Sequence, residues 1–383
     1  MIIKNGKVLV DSEFSLRDVV IKDSKICGYN LDGLMDNQVI DAEGMYVLPG
    51  FIDVHTHGGN GIDTNLADKE ELNKLSEFFA TKGVTGYLPT ILTDTHERTC
   101  EIVEMVGNTI KEQKEGSKIL GIHMEGPFLS HEFKGAMPDD LIVDCSLEKL
   151  MEYEVRSNNN IKTITVAAEN TGVQELIRYA VAKGIIVSLG HSGATYEDCM
   201  MCIEEGANRI THTFNGMRQL HQHQPSILGA ALESDVYCEA ICDGLHLHPG
   251  IVRLMIKTKG IDRVIGITDS VMAAGLPDGK YKLGVNDIVV INGDARLVHG
   301  DSRAGSTLTM DKALKNIMEF TRLPLEESIK MLTINPAKML KIDRNKGSLD
   351  IDKDADIVIM DKDMNVIYTI VEGKIVYNNN LID

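Results

Sequence analysis

Leu48-Pro49-Gly50-Phe51-Ile52-Asp53-Val54-His55-Thr56-His57 contains the first of eight similar runs along this chain. Gly50–His55 is short and apolar, follows a proline, and ends in two histidines two positions apart. Such runs suit strands buried on both faces of a parallel sheet, where side chains do not alternate between core and water. Gly83–Pro89, Lys118–Met124, Lys162–Ala168 and Gly184–Leu189 read the same way. Asn208–Thr213, Val236–Cys242 and Arg263–Thr268 continue the series. Helical patterns at Asp68–Thr81, Glu97–Lys114 and Thr171–Lys183 separate the earlier runs. Eight strands, mostly alternating with helices over about 220 residues, predict an α/β fold, a (β/α)8 barrel.

Outside the barrel the pattern changes. The first 48 residues are short apolar stretches cut by turns: Met1–Ile3, Lys7–Val10, Asp18–Lys22, Lys25–Tyr29 and Met45–Leu48. Asn5-Gly6 between the first two reads as a hairpin turn in a small antiparallel sheet. Ala355–Met360, Val366–Val371 and Lys374–Tyr377 look alike at the other end, with Glu372-Gly373 as a turn. The two ends are predicted to form one small β-sandwich, residues 1–48 with 347–383, beside a barrel spanning 49–346. Tyr281–His299 alternates around Asn292-Gly293 and predicts a hairpin, near 281–299, inserted after the eighth strand. Thr309–Thr321 and Pro324–Leu332 are predicted as the closing helices.

Composition narrows the function. The 383 residues carry 57 acidic and 39 basic side chains, a formal net charge of −18. That surplus repels phosphate backbones and argues against nucleic acid as a partner. Tryptophan is absent and aromatics are 5%, so platforms for stacking bases or sugars are few. No segment reaches the ~18 apolar residues of a membrane span, and the first residues lack a signal-peptide pattern. Seven cysteines without a framework of spacings suit free thiols in a reducing compartment. Cys199-Met200-Met201-Cys202 falls in a helical stretch without a second pair nearby and reads as core thiols. The expectation is a cytoplasmic protein.

The runs themselves carry the chemistry, because barrel enzymes gather function at the C-terminal ends of their strands. The first run ends in His55-Thr56-His57, the third in His123-Met124-Glu125-Gly126-Pro127 and the fifth at Gly190-His191-Ser192. The sixth carries Thr211-His212-Thr213 and the eighth ends in Thr268-Asp269-Ser270. Residues i and i+2 of a strand face one side, so His55 and His57 can grip one ion together. A lone His-x-His is ordinarily a packed or hydrated pair. With Glu125, His191, His212 and Asp269 aimed at the same centre, metal binding becomes the better reading. Neutral imidazoles suit Zn²⁺ or Fe²⁺, and a carboxylate such as Glu125 can bridge two ions. Asp269 could be a ligand, a proton carrier, or both. His123 suits strand packing; Lys134 and Arg303 could help with phosphate, though single exposed cations ordinarily only solvate a surface.

These residues resemble the amidohydrolase superfamily in Leu48-Pro49-Gly50-Phe51-Ile52-Asp53 followed by His55-x-His57. Within it the chain is similar to the N-acetylglucosamine-6-phosphate deacetylase family. His123-Met124-Glu125-Gly126-Pro127-Phe128, Leu189-Gly190-His191-Ser192 and His212-Thr213-Phe214-Asn215-Gly216-Met217 carry the likeness. So do Asp243-Gly244-Leu245-His246, Thr268-Asp269-Ser270 with Ala274-Gly275-Leu276-Pro277-Asp278-Gly279, and Ala304-Gly305-Ser306-Thr307-Leu308. The resemblance implies a metal-dependent deacetylase of amino-sugar 6-phosphates, a barrel with a terminal β-sandwich, and a homodimer. It implies Glu125, His191 and His212 as ligands of the main metal site. His55 and His57 match members that hold a second ion bridged by Glu125; other members lack this pair. One or two divalent ions, zinc first and iron second, are expected, with Asp269 as the acid/base that carries a proton from water to the departing amine. Asn215 and the Gly216 backbone match the phosphate loop, and His246 and Leu308 fall among the substrate-binding residues.

Two departures stand out. Met137 sits where the family commonly has a sugar-contacting His, and His223 where it commonly has a phosphate-gripping Arg. A thioether donates no hydrogen bond, and imidazole lacks the permanent charge and fork of guanidinium. These changes motivate a rival substrate, N-acetylgalactosamine 6-phosphate or an unphosphorylated acetamido sugar. A non-catalytic sugar-phosphate sensor is a second rival, against which the intact Asp269 and ligand set speak. A serine hydrolase is disfavoured because no Gly-x-Ser-x-Gly elbow surrounds Ser192.

Overall fold

The computed structural model describes residues 1–30, 38–300 and 302–379. Eight parallel strands form its centre: β1 (Phe51–Thr56), β2 (Val84–Leu92), β3 (Ile122–Glu125), β4 (Ile161–Val166), β5 (Ile186–Leu189), β6 (Arg209–Ile210), β7 (Tyr237–Ile241) and β8 (Val264–Ile267). Each pairs with the next in order from β1 to β8. The circle closes just past the strand ends. The Asp269 N–H donates to the His55 carbonyl at 2.9 Å and the His57 N–H to the Ser270 carbonyl at 2.8 Å. β1, β2, β3, β5 and β7 are buried at every residue, as their unbroken apolar runs require.

Helices cover the outside. α1 (Lys69–Ala80) starts with a capping box between Asp68 and Glu71 and buries Leu72, Leu75 and Phe79 against the barrel. α2 (His96–Glu112) and α3 (Leu147–Arg156) follow, capped by Thr95 and Ser146, and α4 (Val173–Ala182) lies beyond them. Cys199 and Cys202 are buried free thiols on the inner face of the helix Tyr196–Glu204.

Both chain ends share one eight-stranded sheet with its own core of Ile3, Val8, Val19, Ile26, Val47, Ile357, Ile359 and Ile370. Tyr46–Pro49 is the hinge of this arrangement, parallel to Ile2–Val10 and antiparallel to Ile357–Met360. The terminal unit read from the sequence includes 31–37 and 380–383, which lie outside the described residues.

Asn5-Gly6 is not a hairpin turn. Ile2–Val10 is one strand, and Asn5, at φ 61°, marks a bulge in its pairing with Glu13–Lys22. The turns fall instead at Asp11-Ser12 and Asp23-Ser24, where both central residues take positive φ. Asn-Gly satisfies either geometry, so the dipeptide alone does not choose between them. The segment expected as a hairpin is a three-stranded meander, Gly279–Leu283, Asn286–Ile291 and Asp294–Leu297, with Asn292-Gly293 at its second turn. Among the described residues no helix is long and apolar enough to cross a membrane.

Candidate metal centre and its cavity

The expected donors do converge. Glu125 lies at the centre: its Oε1 is 3.1 Å from His212 Nε2, 3.3 Å from His191 Nε2 and 3.4 Å from His55 Nε2. Its Oε2 faces His57 Nε2 at 3.2 Å. Asp269 Oδ1 stands 3.1 Å from His57 Nε2 and 3.4 Å from His55 Nε2. Two overlapping triads result, His55–His57–Glu125 and Glu125–His191–His212, sharing the carboxylate. Bonds of ~2.0–2.1 Å to a tetrahedral ion separate neighbouring ligands by about 3.3 Å, which these spacings match. His191 and His212 bring Nε2 atoms to 3.1 Å, and His55 and His57 to 3.3 Å. Lone pairs so close repel unless a proton or a cation lies between them. The donor set therefore fits a divalent cation.

The surrounding chain holds these side chains still. Glu239, on β7, accepts from His55 Nδ1 at 3.1 Å and from the His212 backbone N–H at 2.9 Å. Its other oxygen accepts from the fully buried Arg209 on β6. His191 Nδ1 donates to the Phe133 carbonyl at 2.9 Å. In both histidines the Nδ1 bond leaves Nε2 free to face the centre. Below them runs a layer of buried hydroxyls: Thr90 and Thr165 occupy both nitrogens of His123, and Thr211 joins Thr165 and Ser188. His123 is thus a packed core residue, as its sequence setting suggests. Three site residues have left-handed backbone, His191 at φ 45°, His212 at 26° and Asp269 at 49°, strain that persists where packing enforces it. Gly216 (φ 58°) lies so near His191 that a Cβ would sit 2.9 Å from Nδ1. Only glycine lets that loop approach the donors.

Charge follows from this packing. Burial opposes ionisation of Glu125, but His55 and the bonds from His191 and His212 hold it well below the usual carboxylate range. Burial likewise opposes ionisation of Asp269, yet His55 and His57 keep its carboxyl low. His57 loses hydration on burial and is still pushed up to about 9 by Asp269 and Glu125. Asp53, within β1, lacks a cationic contact of that strength, and burial pushes it up to about 6 despite the Thr268 hydroxyl that donates to it at 2.6 Å. His123 is held well below its ordinary value by burial and by Arg209.

His57, Glu125, His191, His212 and Asp269 form the floor of a cavity of about 450 Å³, with the fully buried His55 behind them. Its walls include Asn215, Gly216, His246 and Met137. His246 is oriented by Asp243, which accepts from Nδ1 at 2.7 Å. Two expected residues are not brought there. Leu308 packs in the barrel core, and His223 is exposed on a loop that does not line this chain's cavity. Arg303 is more than a solvated surface cation. With Arg296 it lines the cavity, and both guanidiniums are held by Asp294 of the inserted meander. Glu239 and Arg209 were not singled out either, though a charged residue inside an otherwise apolar strand is a signal that could have found them.

The amidohydrolase family model matches residues 46–376. An N-acetylglucosamine-6-phosphate deacetylase from Lysinibacillus sphaericus is 37% identical over 367 residues, covering 95% of this chain and 94% of that protein. The structure of the deacetylase of that name from Thermotoga maritima superposes with a TM-score of 0.89 at 35% identity, covering 99% and 100% of the two chains. A variant of the Mycobacterium smegmatis enzyme, solved in complex with N-acetyl-D-glucosamine-6-phosphate, gives 0.92 at 28% identity, covering 99% of each chain. With its fold and nearly all of its length in common with these proteins, the chain belongs to the N-acetylglucosamine-6-phosphate deacetylase family of the amidohydrolases.

Proposed function

We propose that this chain hydrolyses N-acetyl-D-glucosamine 6-phosphate to D-glucosamine 6-phosphate and acetate, a step of amino-sugar breakdown. The convergence of His55, His57, Glu125, His191, His212 and Asp269 on one cavity floor carries the reading. Glu125, His191 and His212 are assigned to one cation and His55, His57, Glu125 and Asp269 to a second, so one or two ions fit. A cation held there, zinc first and iron second, supplies the Lewis acid that polarises the acetyl carbonyl. Asp269, kept ionised, takes a proton from the attacking water and delivers it to the nitrogen as the C–N bond breaks.

Asn215, the Gly216 backbone and His246 are assigned to the sugar phosphate, since N–H groups in a positive-φ turn suit an anion. Met137 supplies an apolar wall. Arg296 and Arg303 supply the cationic side of the cavity in place of the Arg that His223 replaces. Leu308 is left a supporting core role. A homodimer would let the His223 loop reach the cavity of a partner, and its exposure supports that arrangement. All seven cysteines are free, which suits a reducing cytoplasm.

The test is acetate release from N-acetylglucosamine 6-phosphate, N-acetylgalactosamine 6-phosphate and unphosphorylated N-acetylglucosamine, with metal analysis of the same sample. The first should react fastest, and a chelator should abolish turnover until zinc or iron is restored. Binding without acetate release by the metal-loaded protein would instead identify a sensor.

A further inference from the structure

We propose a second metal site on the outside of the barrel, formed by His96, Cys100 and Glu152 and suited to a thiophilic divalent cation such as Zn²⁺. His96 is the first residue of α2 and Cys100 lies one turn later, so both project from the same helical face. Glu152 comes from α3, the helix packed alongside. His96 Nε2 lies 3.0 Å from Glu152 Oε2 and 3.9 Å from Cys100 Sγ, and all three donor atoms fall within 4.8 Å of one another. Bond lengths of ~2.0–2.3 Å place tetrahedral N and O ligands about 3.3 Å apart and N and S about 3.5 Å apart. Side-chain adjustments of about an ångström or less would seat an ion.

Two further features favour occupancy. His96 Nδ1 is 3.0 Å from the hydroxyl of Tyr153, a residue 1% exposed, which orients the ring and turns Nε2 to the site. Arg156 engages the other oxygen of Glu152, Oε1 at 3.4 Å, and leaves Oε2 for the ion. The donors border a cavity of about 220 Å³ that Glu97, Glu101 and Arg156 also line, so three carboxylates face one guanidinium there. A thiol selects zinc, cobalt or cadmium over magnesium and calcium. Three protein donors leave a fourth position for water.

A cation would bind Cys100 as its thiolate. On binding, the S–H bond breaks, the sulfur pair forms the S–metal bond and the proton passes to solvent. Affinity therefore rises with pH. A bound ion would fasten the start of α2 to α3. This inference is independent of the deacetylase reading, because none of the three residues lines the catalytic cavity.

Cobalt titration of the full chain, followed by absorption, tests it. The barrel floor offers only nitrogen and oxygen donors, so a sulfur-to-cobalt charge-transfer band in the near ultraviolet reports a thiolate site, and its loss in Cys100→Ser separates this one from the other free thiols. The band should appear and vanish in Cys100→Ser, with the cobalt stoichiometry one lower and acetate release by the zinc-loaded variant unchanged. Glu152→Gln, on the more exposed ligand, should keep the fold and weaken cobalt binding at least about tenfold. It serves as the readout if Cys100→Ser fails to fold. No band in the unaltered chain, a band that survives Cys100→Ser, or unchanged affinity in Glu152→Gln would overturn the proposal.

Discussion

The floor of the catalytic cavity and its walls are built by different means. Every floor donor sits at the end of a parallel strand or within two residues of one, where the barrel's hydrogen-bond ladder fixes its position. The walls come from the loop around Met137, the loop at Asn215-Gly216, and the inserted meander with the segment after it, which present Arg296 and Arg303. The floor is buried and cross-braced, while Arg296 and Arg303 are partly exposed and held through Asp294. Chemistry on a rigid floor can stay constant while walls change what is admitted. The contrast predicts that floor substitutions abolish turnover and wall substitutions alter substrate preference.

The largest effect should come from Asp269→Asn, which removes the proton carrier but can keep the floor's shape. We expect kcat to fall by about 10²–10⁴-fold with bound metal retained, as measured by acetate release and metal analysis of one sample. Full activity in that variant would remove Asp269 from the mechanism.

A smaller loss should follow Glu239→Gln, one step away from the donors. Its carboxylate orients His55 and balances Arg209, both fully buried. Weakening that support should cost about 10–100-fold in metal affinity or activity. Leaving Arg209 without its counter-charge should also cost about 3 kcal/mol of stability. Metal titration beside thermal unfolding separates the two effects. A lower Tm with unchanged metal affinity would mean that Glu239 stabilises the barrel without tuning the floor.

The same contrast explains what could be read from the sequence. A strand buried on both faces must be an unbroken apolar run, so a histidine or carboxylate at its end is conspicuous, and all six floor residues were legible. His-x-His on β1 needed only the two-residue period of a strand. The walls obey no period. Nothing in the spacing of Arg303 says that the meander folds over the cavity, and an isolated arginine reads as a surface charge. His223 shows the complementary limit: its place in a motif does not say which cavity its loop faces, and within this chain it lies away from the cavity. Asn5-Gly6 was ambiguous for a local reason, because a bulge and a turn ask the same backbone of the same residues. Glu239 and Arg209 were visible as charges within buried strands, but their pairing is a cross-strand contact that no local pattern encodes.

The finest test compares two wall residues, Arg303 and His223. If this chain's own cations receive the phosphate, Arg303→Ala should raise KM for the phosphorylated sugar about threefold to tenfold and leave kcat nearly unchanged. The effect is modest because a partly exposed guanidinium already paired with Asp294 delivers only about 1 kcal/mol, where 1.4 kcal/mol is tenfold. It should shrink as salt is added, since the charge is open to screening. KM for the unphosphorylated sugar should not move, which separates a phosphate contact from general damage to the wall. His223→Ala should then change KM by less than Arg303→Ala. The opposite ranking, with the larger penalty at His223 and only in the dimer, would transfer phosphate recognition from the meander to the neighbouring subunit's loop. The floor would keep its role in either case, because its donors all come from one barrel.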